Sequence, residues 1–80
     1  MSVMIEVMYK SPADPRREAD VTESMLGLGG RLTFREEPEA AGTGPVCLTF
    51  EFKDFQEARL AASLLRSKDE HVEGPMEYGD

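Results

Sequence analysis

The sequence has few of the residues that carry metal and redox chemistry: one cysteine, Cys47, and one histidine, His71. A single thiol cannot form an internal disulfide, which excludes the small secreted scaffolds that depend on disulfide bonds. Zinc sites need several Cys and His residues at ligand spacing, and these are missing. A catalytic Cys-His pair would require two residues that the expected strand order keeps apart. We therefore predict no metal, no cofactor and no catalytic residue.

Long apolar runs are also missing. No stretch approaches the roughly 20 apolar residues that a membrane-spanning helix needs. The first twenty residues contain Glu6, Asp14, Glu18 and Asp20 and have no unbroken apolar core, so no secretory signal is predicted. These features predict a cytoplasmic chain without a membrane partner, in which the lone thiol stays reduced.

Positive charge is scarce, with 9 Lys and Arg residues against 16 Asp and Glu residues and a net charge of -7. Such a chain repels phosphate backbones, whereas nucleic-acid binding normally uses a basic surface. We therefore predict no nucleic-acid partner. Another protein, or a small anionic metabolite held at a local basic group, remains as a partner.

What the sequence does contain fits one small folded domain. Its 80 residues, 40% of them hydrophobic, are enough for a single thin core over residues 1–80. Four segments alternate apolar and polar residues, which is typical of β-strands. These segments are residues 2–10, 31–37, 46–52 and 71–78. Pro75 restricts the last of them to the edge of a sheet, and the sequence leaves open whether this segment pairs as a strand or is a partly ordered tail.

Two segments have the features of amphipathic helices. Asp14 before Pro15 is a typical N-cap and first helical residue, and Val21, Met25 and Leu28 then recur at helical spacing. The second helix is predicted over 55–67, with Asp54 as its N-cap and an apolar stripe rich in alanine. Glycines follow the first helix, where they favour a C-terminal cap rather than a phosphate-binding loop.

The order strand-helix-strand-strand-helix-strand predicts an α+β, ferredoxin-like βαββαβ sandwich. In this fold two helices cover one face of a four-stranded, antiparallel-rich sheet and leave the other face open. We predict a mobile loop over 36–45 and a tail over 79–80. This fold hosts many unrelated functions, so it does not by itself identify one.

Strict alternation along the strands predicts which side chains lie on the open face. The candidate interaction residues are Met4, Glu6, Met8, Arg31, Thr33, Arg35, Cys47, Thr49, Glu51, Glu73 and Glu77, accompanied by His71 and Pro75. This arrangement gives a mixed centre with two methionines, a basic margin at Arg31 and Arg35, and an acidic margin at Glu73 and Glu77. No cationic neighbour is predicted for Cys47, which we expect to be an unreactive thiol.

Two hypotheses of function follow from this face. The first is a non-enzymatic interaction or regulatory module that forms a homodimer, with each charged margin over the opposite margin of its mate. The second is a small-metabolite-binding domain or small enzyme in which Glu6 and Glu51 act beside Arg31 and Arg35 on an anionic ligand. An ordinary solvated face, with an arginine paired across strands to Glu51, is the third possibility.

Overall fold

The computed structural model of the chain describes residues 2–39 and 44–78, and its elements follow the predicted order. They are β1 (Ser2–Lys10), α1 (Pro15–Gly27), β2 (Arg31–Glu36), β3 (Pro45–Phe52), α2 (Phe55–Ser67) and β4 (His71–Tyr78). The strands form one antiparallel sheet in the order β2-β3-β1-β4. The prediction of an α+β, ferredoxin-like fold is confirmed. No helix in the described ranges is both long enough and apolar enough to cross a membrane.

The core lies between one face of the sheet and the two helices. Val3, Ile5, Val7 and Tyr9 are buried on β1, while the residues that alternate with them are half-buried, except for exposed Lys10. The stripe on α2 is mostly alanine. It consists of the buried residues Ala58, Ala61, Ala62 and Leu65. Because alanine side chains are small, α2 packs close to the large side chains of the sheet.

The helix boundaries follow from their caps. Asp14 and Asp54 each accept a hydrogen bond from the backbone N–H three residues later, at 3.1 Å and 2.8 Å. At the end of α1, Gly30 donates to the Met25 carbonyl at 2.8 Å while Gly29 has φ +91°. This Schellman arrangement needs a left-handed residue, which glycine provides without steric cost. The glycines therefore cap the helix, as predicted.

A β-bulge in β2 corrects the strict alternation assumed for that strand. Leu32 lies opposite Phe50, but Phe34 lies opposite Thr49, so Thr33 is an extra residue. Residues that face each other in an antiparallel ladder project from the same side of the sheet. Every residue after Thr33 therefore projects from the side opposite to the one predicted.

A second bulge has the same effect in β4. Glu73 lies opposite Glu6 and Met76 lies opposite Met4, so Gly74 and Pro75 together face the single residue Ile5. Gly74 has φ +103°, and a Cβ atom there would lie 2.9 Å from the Met4 carbonyl oxygen. The bulge therefore needs glycine, because an L side chain would be strained and would also clash with β1.

Two boundaries of the predicted loop over 36–45 are wrong. Glu36 is the last residue of β2, where it pairs with Cys47 of β3. Pro45 is the first residue of β3, where it pairs with Lys10 of β1. Residues 40–43, at the centre of that loop, lie outside the described residues, as does the predicted tail over 79–80.

Candidate interaction surface

The face of the sheet that the helices leave open is built from alternate residues of all four strands. Met4, Glu6 and Met8 of β1 lie there, as predicted, opposite Glu51, Thr49 and Cys47 of β3. The ladder partners identify the rest of this surface, which we call the open face. Its members are Ser2, Met4, Glu6, Met8, Lys10, Arg31, Phe34, Glu36, Pro45, Cys47, Thr49, Glu51, His71, Glu73 and Met76.

Arg35 does not lie on the open face, which contradicts its predicted position. It faces buried Leu48 in the ladder, and its guanidinium group binds the Glu18 carboxylate of α1, with Nε at 2.6 Å from Oε1. Glu18 also accepts a hydrogen bond from the Tyr9 hydroxyl. Arg35 therefore connects β2 to α1 on the helix side, because the bulge at Thr33 reverses its direction.

The prediction for Glu77 is corrected by the bulge in β4, while Thr33, as a bulge residue, has no ladder partner that assigns it to a face. Glu77 lies opposite buried Val3 in the ladder, so it projects from the helix side of the sheet. Thr33 is the bulge residue, and its hydroxyl lies 3.3 Å from the Thr49 carbonyl of the neighbouring strand. The predicted pair of oppositely charged margins is therefore wrong, because each margin loses one of its two charges.

The remaining arginine on the open face already has a partner. Arg31 binds Glu51 with Nη2 at 2.6 Å and Nε at 3.0 Å from the same carboxylate oxygen. A hydrogen bond from Ser2, followed by the guanidinium of Arg31, lowers the pKa of the Glu51 carboxyl. This is the cross-strand pair between an arginine and Glu51 that the sequence analysis gave as its third possibility, an ordinary solvated face.

The centre of the open face is acidic. Glu6 and Glu73 lie directly opposite each other on β1 and β4, and Glu36 lies opposite Cys47. Within the described ranges, no lysine or arginine is within ion-pair distance of these three carboxylates, and the closest basic group is His71, 4.0 Å from Glu73. These three carboxylates therefore form no ion pair with a lysine or arginine of the described residues, although Lys10 and Arg31 lie on the same face.

Cys47 lies among these carboxylates and is half-buried. Its sulfur is 3.9 Å from the Glu6 carboxylate. Burial, and then the negative charges of Glu6 and Glu36, raise the pKa of the Cys47 thiol. A raised pKa keeps the thiol protonated at neutral pH, which favours an inert thiol over a nucleophile.

Apolar side chains surround the acidic centre. Met4 lies opposite Met76, Met8 lies next to Cys47, and Phe34 is 59% exposed on the edge strand. Sequence reasoning missed Phe34, Glu36 and Met76 as members of the open face. For Met76 the sequence carried a signal, because a glycine inside a strand pattern often marks a bulge. For the other two residues, nothing around Thr33 indicated one.

No other part of the described surface combines these features. A groove of about 350 Å³ separates α1 from α2 and is lined by residues that include Arg17, Val21, Leu65 and Glu70. Arg17 and Glu70 bind each other across it at 2.7 Å, and the other charged residues that line it are two basic and two acidic ones, so the groove has no net charge. Among the described residues, no group of three or more His, Cys, Asp or Glu side chains could hold a metal ion.

Comparison with known proteins adds no functional assignment. No protein-family model matches the chain, and no curated protein sequence matches it.

Proposed function

We propose that this chain is a non-enzymatic protein-interaction module whose open face binds a basic segment of a partner protein. The observation that carries the proposal is the direct opposition of Glu6 and Glu73, two carboxylates that form no ion pair with a described lysine or arginine and that lie next to methionine side chains. Like charges in directly opposed positions destabilise a sheet. A lysine or arginine placed between the two carboxylates would remove that cost.

The surroundings of the two glutamates favour a protein segment as the source of the cation. Met4 and Met76 lie opposite each other next to the acidic pair, and Met8 lies on its other side. Methionine side chains adapt to irregular apolar surfaces and are common where proteins bind each other. The partner that fits carries a basic side chain between apolar ones, and its positive charge complements the net charge of -7.

A second copy of the chain fits this face less well than a basic partner does. The predicted two-fold stacking of two open faces depended on oppositely charged margins. Arg35 and Glu77, one charge of each margin, do not lie on the open face. Two stacked copies would instead bring together six carboxylates without a lysine or arginine partner. Unbalanced charges of one sign disfavour a buried interface.

The metabolite-binding alternative loses its basic group. It required Glu6 and Glu51 beside two arginines, but Arg31 binds Glu51 and Arg35 binds Glu18 on the opposite side of the sheet. Only Arg31 is left beside the two glutamates, and two of its N–H donors already bind Glu51. We also propose a cytoplasmic location, because the only cysteine is half-buried and unpaired.

The test uses a lysine homopeptide as the probe, titrated at low ionic strength into the ¹⁵N-labelled chain. We expect amide shifts to concentrate on β1, β3 and β4 around Glu6, Cys47 and Glu73, and to weaken as salt is added. A glutamate homopeptide is the probe control and should cause no shifts there.

Paired variants separate the open face from the general negative charge. Glu6→Gln with Glu73→Gln should abolish the shifts around the acidic pair. Asp20→Asn with Glu23→Gln removes the same charge from exposed positions on α1 and should leave them intact. Shifts that follow net charge alone, spreading equally over α1 and α2, would contradict the proposal.

A further inference from the structure

We propose that β2 pairs with β2 of a second copy of this chain, antiparallel and about a two-fold axis perpendicular to the sheet. In the described part of the chain, β2 is an edge strand with β3 on one side and no strand on the other. All six of its residues are exposed. An exposed edge of this kind offers unpaired backbone groups to another strand.

The other edge of the sheet is covered, which makes β2 the edge available for pairing. The guanidinium of Arg66 on α2 donates to the carbonyl oxygens of Val72 and Gly74, both at 3.0 Å. Pro75 has no N–H to donate, and the bulge at Gly74 bends the strand. The proline and the covering arginine block the β4 edge, whereas β2 contains a bulge of its own but no proline.

Exposed apolar side chains gather at the β2 edge. The described residues leave four large hydrophobic side chains exposed, and Leu32 and Phe34 of β2 are two of them, at 39% and 59%. A third, Leu26, is 61% exposed on α1. The fourth is Leu60 of α2.

Helical spacing places Leu26 on the β2 side of α1. Arg17 and Ser24 line the groove toward α2, whereas Glu18 binds Arg35 of β2. At 100° per residue, Leu26 lies on the flank beyond Glu18, turned away from α2. Three of the four exposed large side chains therefore lie along one edge of the molecule.

The bulge at Thr33 selects one register for this pairing. Ladder partners must project from the same side of the sheet. Leu32 and Arg35 both lie on the helix side, and Arg31 and Glu36 both lie on the open face. A pairing centred between Thr33 and Phe34 matches all of these positions, whereas a shift by one residue in either direction mismatches them.

The same register is complementary in charge. It places Arg31 opposite Glu36 of the partner subunit, and the two-fold axis creates this contact twice. Arg31 has a 73% exposed side chain and uses two of its five N–H donors on Glu51. Glu36 has no lysine or arginine partner within the described residues. On the helix side, Leu32 would lie against the apolar stem of Arg35 of the partner subunit.

Pairing at β2 would join two sheets into one of eight strands with both open faces on the same side. The proposal does not depend on the basic partner proposed above, because it uses the strand edge and leaves the open face accessible. Its test is the oligomeric state of the purified chain, measured by sedimentation velocity over a range of concentrations. We expect a reversible monomer–dimer equilibrium.

Charge-reversed variants test the register. Arg31→Glu and Glu36→Arg should each be monomeric alone, since every interfacial contact then joins like charges. Mixed in equal amounts, they should form a heterodimer, because both contacts join opposite charges again. Glu23→Arg makes the same charge change as Glu36→Arg, but on the exposed surface of α1, and should dimerise like the parent chain.

Each outcome decides the question. Circular dichroism first establishes that both variants are folded. A parent chain that stays monomeric at the highest concentration overturns the proposal, as does a dimer that persists in either single variant. Two monomeric variants that fail to associate when mixed overturn this register.

Discussion

Replacing Gly74 by alanine should lower the free energy of unfolding by about 2–4 kcal/mol. Gly74 has φ +103°, a conformation that costs an L residue roughly 1–3 kcal/mol. An added Cβ would also lie 2.9 Å from the Met4 carbonyl oxygen and 3.1 Å from the Met76 nitrogen. Both neighbours are backbone atoms of paired strands, so they cannot rotate away as a side chain would.

The two costs overlap, because a shift of β4 that relieves the clash also relaxes φ. We therefore expect less than their sum, with overpacking contributing about 1–3 kcal/mol by itself. A domain of this size has a total stability of roughly 0.05–0.15 kcal/mol per residue, so the loss is a large part of it. The melting temperature should fall by about 4–8 °C for each kcal/mol.

Urea unfolding followed by circular dichroism measures this loss. Gly27→Ala is the matched control, because a Cβ at Gly27 meets no atom within 4 Å and Gly27 closes α1 without a left-handed φ. It should leave stability unchanged or raise it by up to about 1 kcal/mol. If Gly74→Ala is as stable as Gly27→Ala, the bulge does not require glycine and our assignment of faces on β4 is wrong.

Two further predictions concern titratable groups. Hydrogen bonding to Arg35, opposed by burial and assisted by Tyr9, holds the pKa of Glu18 below its ordinary value of 4.5. Glu18 therefore stabilises the fold above pH 4.5 and loses this effect as the pH falls through its lowered pKa. The stability difference between the parent chain and Glu18→Gln, measured by urea unfolding, should shrink in acid; a difference independent of pH would contradict this. Because its pKa is raised, Cys47 should react with a chromogenic disulfide reagent more slowly than a free thiol at pH 8, and faster once Glu6 is changed to Gln; equal rates would refute the electrostatic effect of that carboxylate.

Most of the fold could be predicted from local patterns, because each element carries its own start and stop signals. Asp14 and Pro15 mark the start of α1, Asp54 marks the start of α2, and alternation identifies the four strands. Element order then leaves few topologies open, since connections follow rules of handedness and adjacency. These signals act over a few residues, which is why the sequence alone reveals them.

The faces of β2 and β4 could not be predicted with the same rule. When one extra residue breaks the alternation, every later residue of the strand is assigned to the wrong face of the sheet. The bulge at Thr33 therefore moved Arg35 to the helix side and Phe34 to the open face. The pairing with β3 that defines this bulge and the contact between Arg35 and Glu18 that accompanies it both join residues far apart in the sequence. On β1 and β3, where alternation is unbroken, the predicted side chains do lie on the open face.

The bulges also determine where the strands can change in length. Thr33 is one residue more than the ladder needs, so deleting it would leave Leu32 and Phe34 as direct neighbours that still project from opposite sides. Deleting Leu32 or Phe34 instead would either place a different residue at the bulge or eliminate the bulge. The same holds for the pair Gly74 and Pro75, which occupies the place of one residue opposite Ile5. Homologous chains that differ by a single residue in β2 or β4 should therefore carry their gap at these two positions, with the chemistry of both faces preserved.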